Sequence, residues 1–269
     1  MNEMKDKVCI VTGSNSGMGK ETALALANMG AKVVMVVRNP ERGEKALAEI
    51  ISKTGNHSTA LMVCDLSSMD SIRYFVREFK NKYDRLDVLV NNAGAIFSKR
   101  QTTVDGFERT LAVNYLGLFL LTQELLPLLK SSAPSRIINI SSGLHKSGKI
   151  DFDDLQSMRE YNGRKAYNNA KLMVIMHAYE LARRLEDTGV AVNVVLPGFV
   201  ATNLGRNSGS RLQSFMFRIV RPMQVSAKKG AETTIYLASS SEVKGVTGRC
   251  FSRLKETTTA PISYDQQMQ

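Results

Sequence analysis

Cysteine is scarce in this 269-residue chain, and its placement excludes two classes of protein at once. Cys9, Cys64 and Cys250 are odd in number and far apart. They fit neither a disulfide framework nor the close ligand pairs of a zinc site, so no metal is assigned and a reducing compartment, the cytoplasm, is expected. Histidine is as rare. His57 and His177 stand in no motif and read as structural, and His145 reads as a solvated loop residue rather than a substrate contact. Long apolar runs are missing too. None reaches the length of a membrane span, and Met1-Asn2-Glu3-Met4-Lys5 has no signal-peptide core, so a soluble protein without a transmembrane segment is expected. No Pro/Gly/Ser-rich linker, composition break or short repeat divides the chain, which implies one domain over residues 1–269.

Acidic residues are outnumbered: 36 Lys and Arg face 25 Asp and Glu, a net charge of +11. Such a charge can draw a protein to nucleic acid, an anionic membrane face or a polyanionic ligand. The basic residues are not interleaved with exposed aromatics and no nucleic-acid motif occurs, so nucleic acid is not expected as a partner. Hydrophobic content of 43% is ordinary for a chain that buries a full core. Only the polar end, residues 257–269, reads as a flexible tail.

What is present is a rhythm. Val8 to Thr12, Lys32 to Val37, Ala60 to Cys64, Val88 to Val90, Arg136 to Ile140 and Ala191 to Leu196 are short apolar runs of the kind that form buried parallel strands. Between them lie helical patterns at residues 18–29, 41–53, 69–83, 106–129, 164–187 and 227–239. The alternation predicts an α/β fold, a single-domain Rossmann-type doubly wound parallel sheet of about seven strands with helices on both faces and ligands beyond the carboxyl ends of the strands.

Thr12-Gly13-Ser14-Asn15-Ser16-Gly17-Met18-Gly19 follows the first strand and runs into a helix. Gly13 permits a sharp turn, Gly17 lets backbone approach a pyrophosphate, and Gly19 permits close helix-to-strand packing, while the helix N-terminus offers free N–H groups. The second strand ends in Val37-Arg38-Asn39, where many dinucleotide folds carry an acid that binds the adenosine ribose. No acid stands there. Arg38 either pairs with a ribose 2′-phosphate, which favours NADP(H) over NAD(H), or merely covers the sheet edge.

Tyr167 and Lys171 are four residues apart, which stacks a phenol beside an ammonium on one helical turn. A cation favours the phenolate, and such a tyrosine can trade protons with a carbonyl or alcohol. Taken with the glycine turn, Asn91-Asn92-Ala93-Gly94, Asn114 and Ser142 in this order, the chain resembles the short-chain dehydrogenase/reductase family over residues 5–252. It is most similar to the retinol dehydrogenase-like branch, given Arg38 and the long stretch from Leu144 to Asn162. The resemblance implies an NADP(H)-dependent oxidoreductase with Tyr167, Lys171, Ser142 and Asn114 in the active site. It further implies that Asp65 and Leu66 flank the adenine, that Asn91, Ala93 and Gly94 line the cofactor, and that Pro197, Gly198, Val200 and Thr202 form the nicotinamide loop. Ser141 competes with Ser142 for the serine role.

Residues 203–223 resemble the family's substrate lid, mixing Leu212, Phe215, Met216 and Ile219 at helical spacing with arginines. They could line an apolar pocket, pack on the domain, or make weak contact with an anionic membrane. The expected substrate is a small hydrophobic carbonyl or alcohol: an aldehyde, ketone, steroid or retinoid. Family members usually pair through the helices carrying Asn114 and Tyr167, which implies a homodimer or homotetramer. A rival reading keeps the fold and the NADP(H) site but makes the protein a regulator without turnover.

Overall fold

The computed structural model describes residues 4–198 and 226–269. Seven parallel strands form its sheet: β1 (Val8–Thr12), β2 (Lys32–Val37), β3 (Ala60–Val63), β4 (Val88–Asn91), β5 (Ser135–Ile140), β6 (Val190–Val195) and β7 (Arg249–Ser252). An eighth, β8 (Lys255–Glu256), pairs antiparallel with β7, and the order is β3-β2-β1-β4-β5-β6-β7-β8. The extra strand is two exposed residues, too short to leave a pattern in the sequence.

The helices are α1 (Gly17–Asn28), α2 (Pro40–Thr54), α3 (Met69–Lys82), α4 (Arg109–Leu111), α5 (Gly117–Ser131), α6 (Gly163–Arg184) and α7 (Ala227–Ser239). They cover both faces because alternate strand residues point to opposite sides. Val8 and Ile10 of β1 join a core with Phe75, Phe79, Leu121, Leu125 and Ile175, whereas Cys9 and Val11 join another with Ala23, Leu26, Ile50 and Leu237. All three cysteines are buried free thiols, and burial first of all pushes Cys64 and Cys250 up to about 12.

Three expectations need correction. The helical pattern at residues 106–129 is not one helix, because a π turn, Ala112–Leu116, separates α4 from α5. Glu108 starts the run, its carboxylate accepting from Thr110 N and Leu111 N at 2.7 Å each. The same run, Arg109–Ser131, is long and apolar enough to cross a membrane by length and composition alone. Its Leu121, Leu125 and Leu129 are fully buried under the sheet, so here the apolar character serves the core. Residues 257–269 are not a free tail. They fold back on α6 through a short 3-10 turn, Pro261–Tyr264, with Ser263 fully buried and the Tyr264 ring stacked 5.2 Å from that of Tyr179. Polar side chains hide this in the sequence because they satisfy one another in the fold.

α3 shows how spacing becomes packing. Ile72, Phe75, Val76 and Phe79 recur at helical intervals and are at most 3% exposed. Phe79 sits 6.1 Å from the Phe75 ring and 4.8 Å from that of Tyr83. Phe79→Ala is therefore expected to lower stability by about 3–5 kcal/mol, read as a fall in the urea midpoint at unchanged m.

Candidate active site

The strand order reverses at β1, which has β2 on one side and β4 on the other, and it is beyond the carboxyl ends at such a reversal that sheets of this kind bind their ligands. The turn after β1 is tied to the end of β4. Thr12 Oγ1 accepts from Asn92 N at 2.9 Å and Ala93 N at 3.0 Å, and Asn92 Nδ2 donates to Thr12 O at 2.7 Å. A Cβ on Gly19 would stand 2.4 Å from Asn92 Nδ2 and 2.5 Å from Gly13 O, so only glycine allows this approach. Thr12 and Asn92 are the residues that motif reading missed. The signal was there in Asn91-Asn92-Ala93-Gly94, but the strand's alternation gives its two asparagines different tasks. Asn91 is turned into the core, donating to Thr122 Oγ1 at 3.0 Å and Asn139 Oδ1 at 2.9 Å, so its side chain does not line the crevice as expected.

The turn suits a pyrophosphate. Gly17 has a φ of 57° and open space where a Cβ would stand. Ser16 caps α1 without a side-chain bond, which leaves its side chain off the first helical N–H groups, and the buried Ser14 Oγ has no partner among the described residues. A bound phosphate would supply those missing acceptors. Asn15 and Met18 are half-buried on the same turn. Arg38 lies exposed just past β2 and makes no ion pair among the described residues. Past β3, Asp65 Oδ1 is held by Ser67 N and Oγ at 2.9 and 2.7 Å, and Leu66, 7% exposed, packs into the core. Pro197 and Gly198 follow β6, Gly198 at a φ of 78°. Val200, Thr202 and the expected lid at 203–223 lie outside the described residues.

Opposite the glycine turn, α6 delivers Tyr167 and Lys171. Asn162 starts this helix, its Oδ1 accepting from Arg164 N at 3.0 Å and Lys165 N at 3.1 Å. Tyr167 and Lys171 are 5% and 3% exposed, and the Lys171 ammonium lies 5.6 Å from the centre of the Tyr167 ring. Lys171 Nζ donates to Ile140 O at 2.9 Å. Ser142 follows β5, half-buried; its hydroxyl accepts from Leu144 N at 3.2 Å and lies near enough to the Tyr167 phenol to pull its pKa down. The Ser141 hydroxyl instead donates to Lys171 O at 2.7 Å, away from the phenol.

Asn114 is fully buried on the π turn. Its Nδ2 donates to Ala95 O and Thr110 O, both at 2.8 Å, and its Oδ1 accepts from Ala95 N at 3.1 Å. Here it clamps the chain just past Gly94. A Cβ on Gly94 would stand 3.0 Å from Asn114 Oδ1 and 3.5 Å from Lys171 Nζ, so this glycine keeps the two side chains next to each other. His145 is not solvated as expected. It is fully buried, with Nδ1 2.7 Å from Ser142 O and Nε2 accepting from Ala260 N at 3.0 Å. His177 is structural: buried, with its ring packed against Tyr115 and Phe119 and held near 4 chiefly by burial. His57 is exposed.

The electrostatics also depart from expectation. Lys171 was expected to lower the Tyr167 pKa, but in the chain by itself burial dominates and pushes the phenol up to about 12, with only the Ser142 hydroxyl pulling it down. Burial likewise draws Lys171 down to about 8. The sign of the consequence is fixed. Between about 8 and 10.5 the unfolded chain holds a proton on this lysine that the folded chain has lost, so its contribution to stability rises with pH across that window. Lys171→Met is expected to gain up to about 3 kcal/mol over the wild type in urea unfolding at pH 7 and to lose that advantage above pH 10.5.

A doubly wound sheet with a glycine turn at its switch point, together with a half-buried serine and a buried tyrosine and lysine, defines a nucleotide-dependent oxidoreductase of Rossmann type. The chain belongs to the short-chain dehydrogenase family, whose model matches residues 7–213, and within it to the retinol dehydrogenase-like branch. Retinol dehydrogenase 13 of Homo sapiens is 42% identical over 97% of this chain and 81% of its own length. Retinol dehydrogenase 14 of Homo sapiens is 44% identical over 98% and 83%. Among solved structures, an actinorhodin polyketide ketoreductase with NADPH superposes with a TM-score of 0.73 at 26% identity, covering 92% of this chain and 95% of that one. A 3-ketoacyl-(acyl-carrier-protein) reductase from Brucella melitensis complexed with NADH gives 0.71 at 26%, covering 93% and 97%.

Proposed function

We propose that this protein is an NADP(H)-dependent oxidoreductase acting on a hydrophobic carbonyl or alcohol, with Tyr167 as general acid and base. The observation that carries the proposal is the grouping of Ser142, Tyr167 and Lys171: the tyrosine and lysine are buried one helical turn apart with the ammonium 5.6 Å from the ring centre, and the Ser142 hydroxyl acts on the phenol from the end of β5. The nicotinamide cofactor, when bound, supplies or accepts the hydride. The protein's residues handle the oxygen. In reduction the Tyr167 phenol donates a proton to the carbonyl oxygen, while the Ser142 hydroxyl donates a hydrogen bond where negative charge develops. Lys171 places a cation beside the phenol and, next to Gly94, would hold the cofactor's ribose through its ammonium. Arg38 supports the preference for NADP(H), since a guanidinium binds a 2′-phosphate bidentately and no carboxylate stands in its place. The names of the relatives support a retinoid or similar apolar substrate.

Tyr167→Phe keeps the ring and removes the proton. It is expected to lower kcat for NADPH-dependent reduction of apolar aldehydes by about 10²- to 10⁴-fold with little change in cofactor binding. In the wild type, alcohol oxidation needs the phenolate and should rise with pH from 7 to 10, whereas reduction uses the protonated phenol and should not fall until well above neutral, because the phenol is held high. Turnover that survives in Tyr167→Phe would remove the tyrosine from the mechanism. Arg38→Asp is expected to raise the Kd of NADPH about ten- to hundredfold in fluorescence titration and to leave that of NADH unweakened. An equal loss for both cofactors would place Arg38 outside the phosphate site.

A further inference from the structure

His145 is a buried titratable group that the proposed chemistry does not use, and its two ring nitrogens face in informative directions. Nε2 accepts from the backbone N–H of Ala260 at 3.0 Å, so it carries no proton, and Nδ1 must hold the hydrogen it directs at Ser142 O, 2.7 Å away. Burial favours this neutral ring by lowering its pKa. Ser142 O also accepts from His145 N at 3.0 Å, and Ser142 Oγ accepts from Leu144 N, so the turn carrying the proposed active-site hydroxyl is closed on itself and then tied outward through the imidazole.

The outward end is the C-terminal segment, and that segment is itself anchored to α6. Tyr179 OH bonds Thr259 Oγ1 at 3.0 Å, Thr259 Oγ1 bonds Ser263 Oγ at 2.6 Å, Thr259 N donates to Tyr264 OH at 3.1 Å, and Ser263 Oγ donates to Ala260 O at 2.6 Å. Tyr179 lies on the helix that carries Tyr167 and Lys171. One short segment therefore braces both the serine turn and the tyrosine helix.

We propose that His145 is a positioning residue for Ser142 and that residues 259–264 are the latch that holds it in place. The hydroxyl of Ser142 must meet the substrate oxygen and Tyr167 together, a geometry that small displacements degrade. Without the Ala260 N–H the imidazole loses its outer partner and can turn, and the Ser142 carbonyl is left with the weaker local turn alone. This inference rests on the reductase reading for its effect on rate, but not for the latch itself.

Ala260→Pro tests it at the N–H itself. Ala260 has a φ of −60° and a ψ of 139°, which a proline ring accepts, so the substitution deletes the one N–H that reaches His145. His145→Phe keeps a buried ring and deletes both bonds. Two readouts decide the matter. Amide hydrogen exchange over residues 141–148 is expected to quicken about five- to tenfold in Ala260→Pro while exchange in β1 stays as in the wild type. In turnover, kcat is expected to fall by a similar factor with the Kd of NADPH unchanged, and this fall should disappear when the same substitution is made in a Ser142→Ala protein, because the latch acts through that hydroxyl. Unchanged exchange at 141–148 would overturn the proposal whether or not the wild type turns over, and an equal loss of kcat with and without Ser142 would overturn the assignment of His145 to serine positioning. A wild type inert toward every carbonyl would instead defeat the reductase reading, with the exchange result still deciding the latch.

Discussion

The ammonium of Lys171 is the constraint around which the site is built. It lies 3% exposed under the carboxyl edge of the sheet, and a charge in such a place costs several kcal/mol unless its surroundings compensate. One hydrogen bond to Ile140 O ties it to β5. The helix beneath it is tied to the same strand end by the Ser141 hydroxyl on Lys171 O. On its other side Gly94 leaves room for it beside Asn114, and Asn114 in turn ties the chain just past Gly94 to α4 at Thr110. Remove the charge and each of these arrangements loses its purpose, since an apolar side chain would fill the space at less cost. A buried cation kept at some expense in stability marks a place where chemistry has been given precedence over packing.

Tyr167 makes the same point from the acid side. Burial alone leaves the phenol protonated far above neutral pH, and a cation 5.6 Å from the ring centre does not offset that in the chain by itself. A protonated phenol is the form a carbonyl reductase needs, whereas an alcohol dehydrogenase needs the phenolate and hence additional positive charge near the ring. The direction of reaction thus depends on the charge set around the phenol as well as on its burial.

Much of this was legible in the sequence. Six of the strands and five of the helices are where the apolar periodicity puts them, give or take up to three residues at an end, because parallel strands buried on both faces and amphipathic helices leave strong local patterns. The glycine turn and the Tyr167/Lys171 spacing were readable for a similar reason: each is a local motif whose chemistry fixes residue type and interval. The failures have a common cause as well. Asn91 and Asn92 are neighbours of one type, and only the strand register assigns one to the core and the other to the glycine turn. The π turn at Ala112–Leu116 depends on Asn114 reaching Ala95, a contact from another segment.

The C-terminal segment carries that lesson furthest. Thr257 to Gln269 offers no apolar period and few large side chains, which is what a disordered tail looks like. Order there comes from hydroxyls and backbone groups that pair with Tyr179 and with His145, the latter 115 positions away in the chain. Each of those bonds is worth little singly, and a lone polar segment would stay in water. Stacking of Tyr264 on Tyr179 supplies the apolar contact that brings the hydroxyls within reach, and once they are buried every one left unpaired would cost more than its bond returns. Such a network forms as a unit or not at all, so a segment whose sequence looks soluble and loose can hold a buried imidazole, and through it the Ser142 carbonyl, in one orientation.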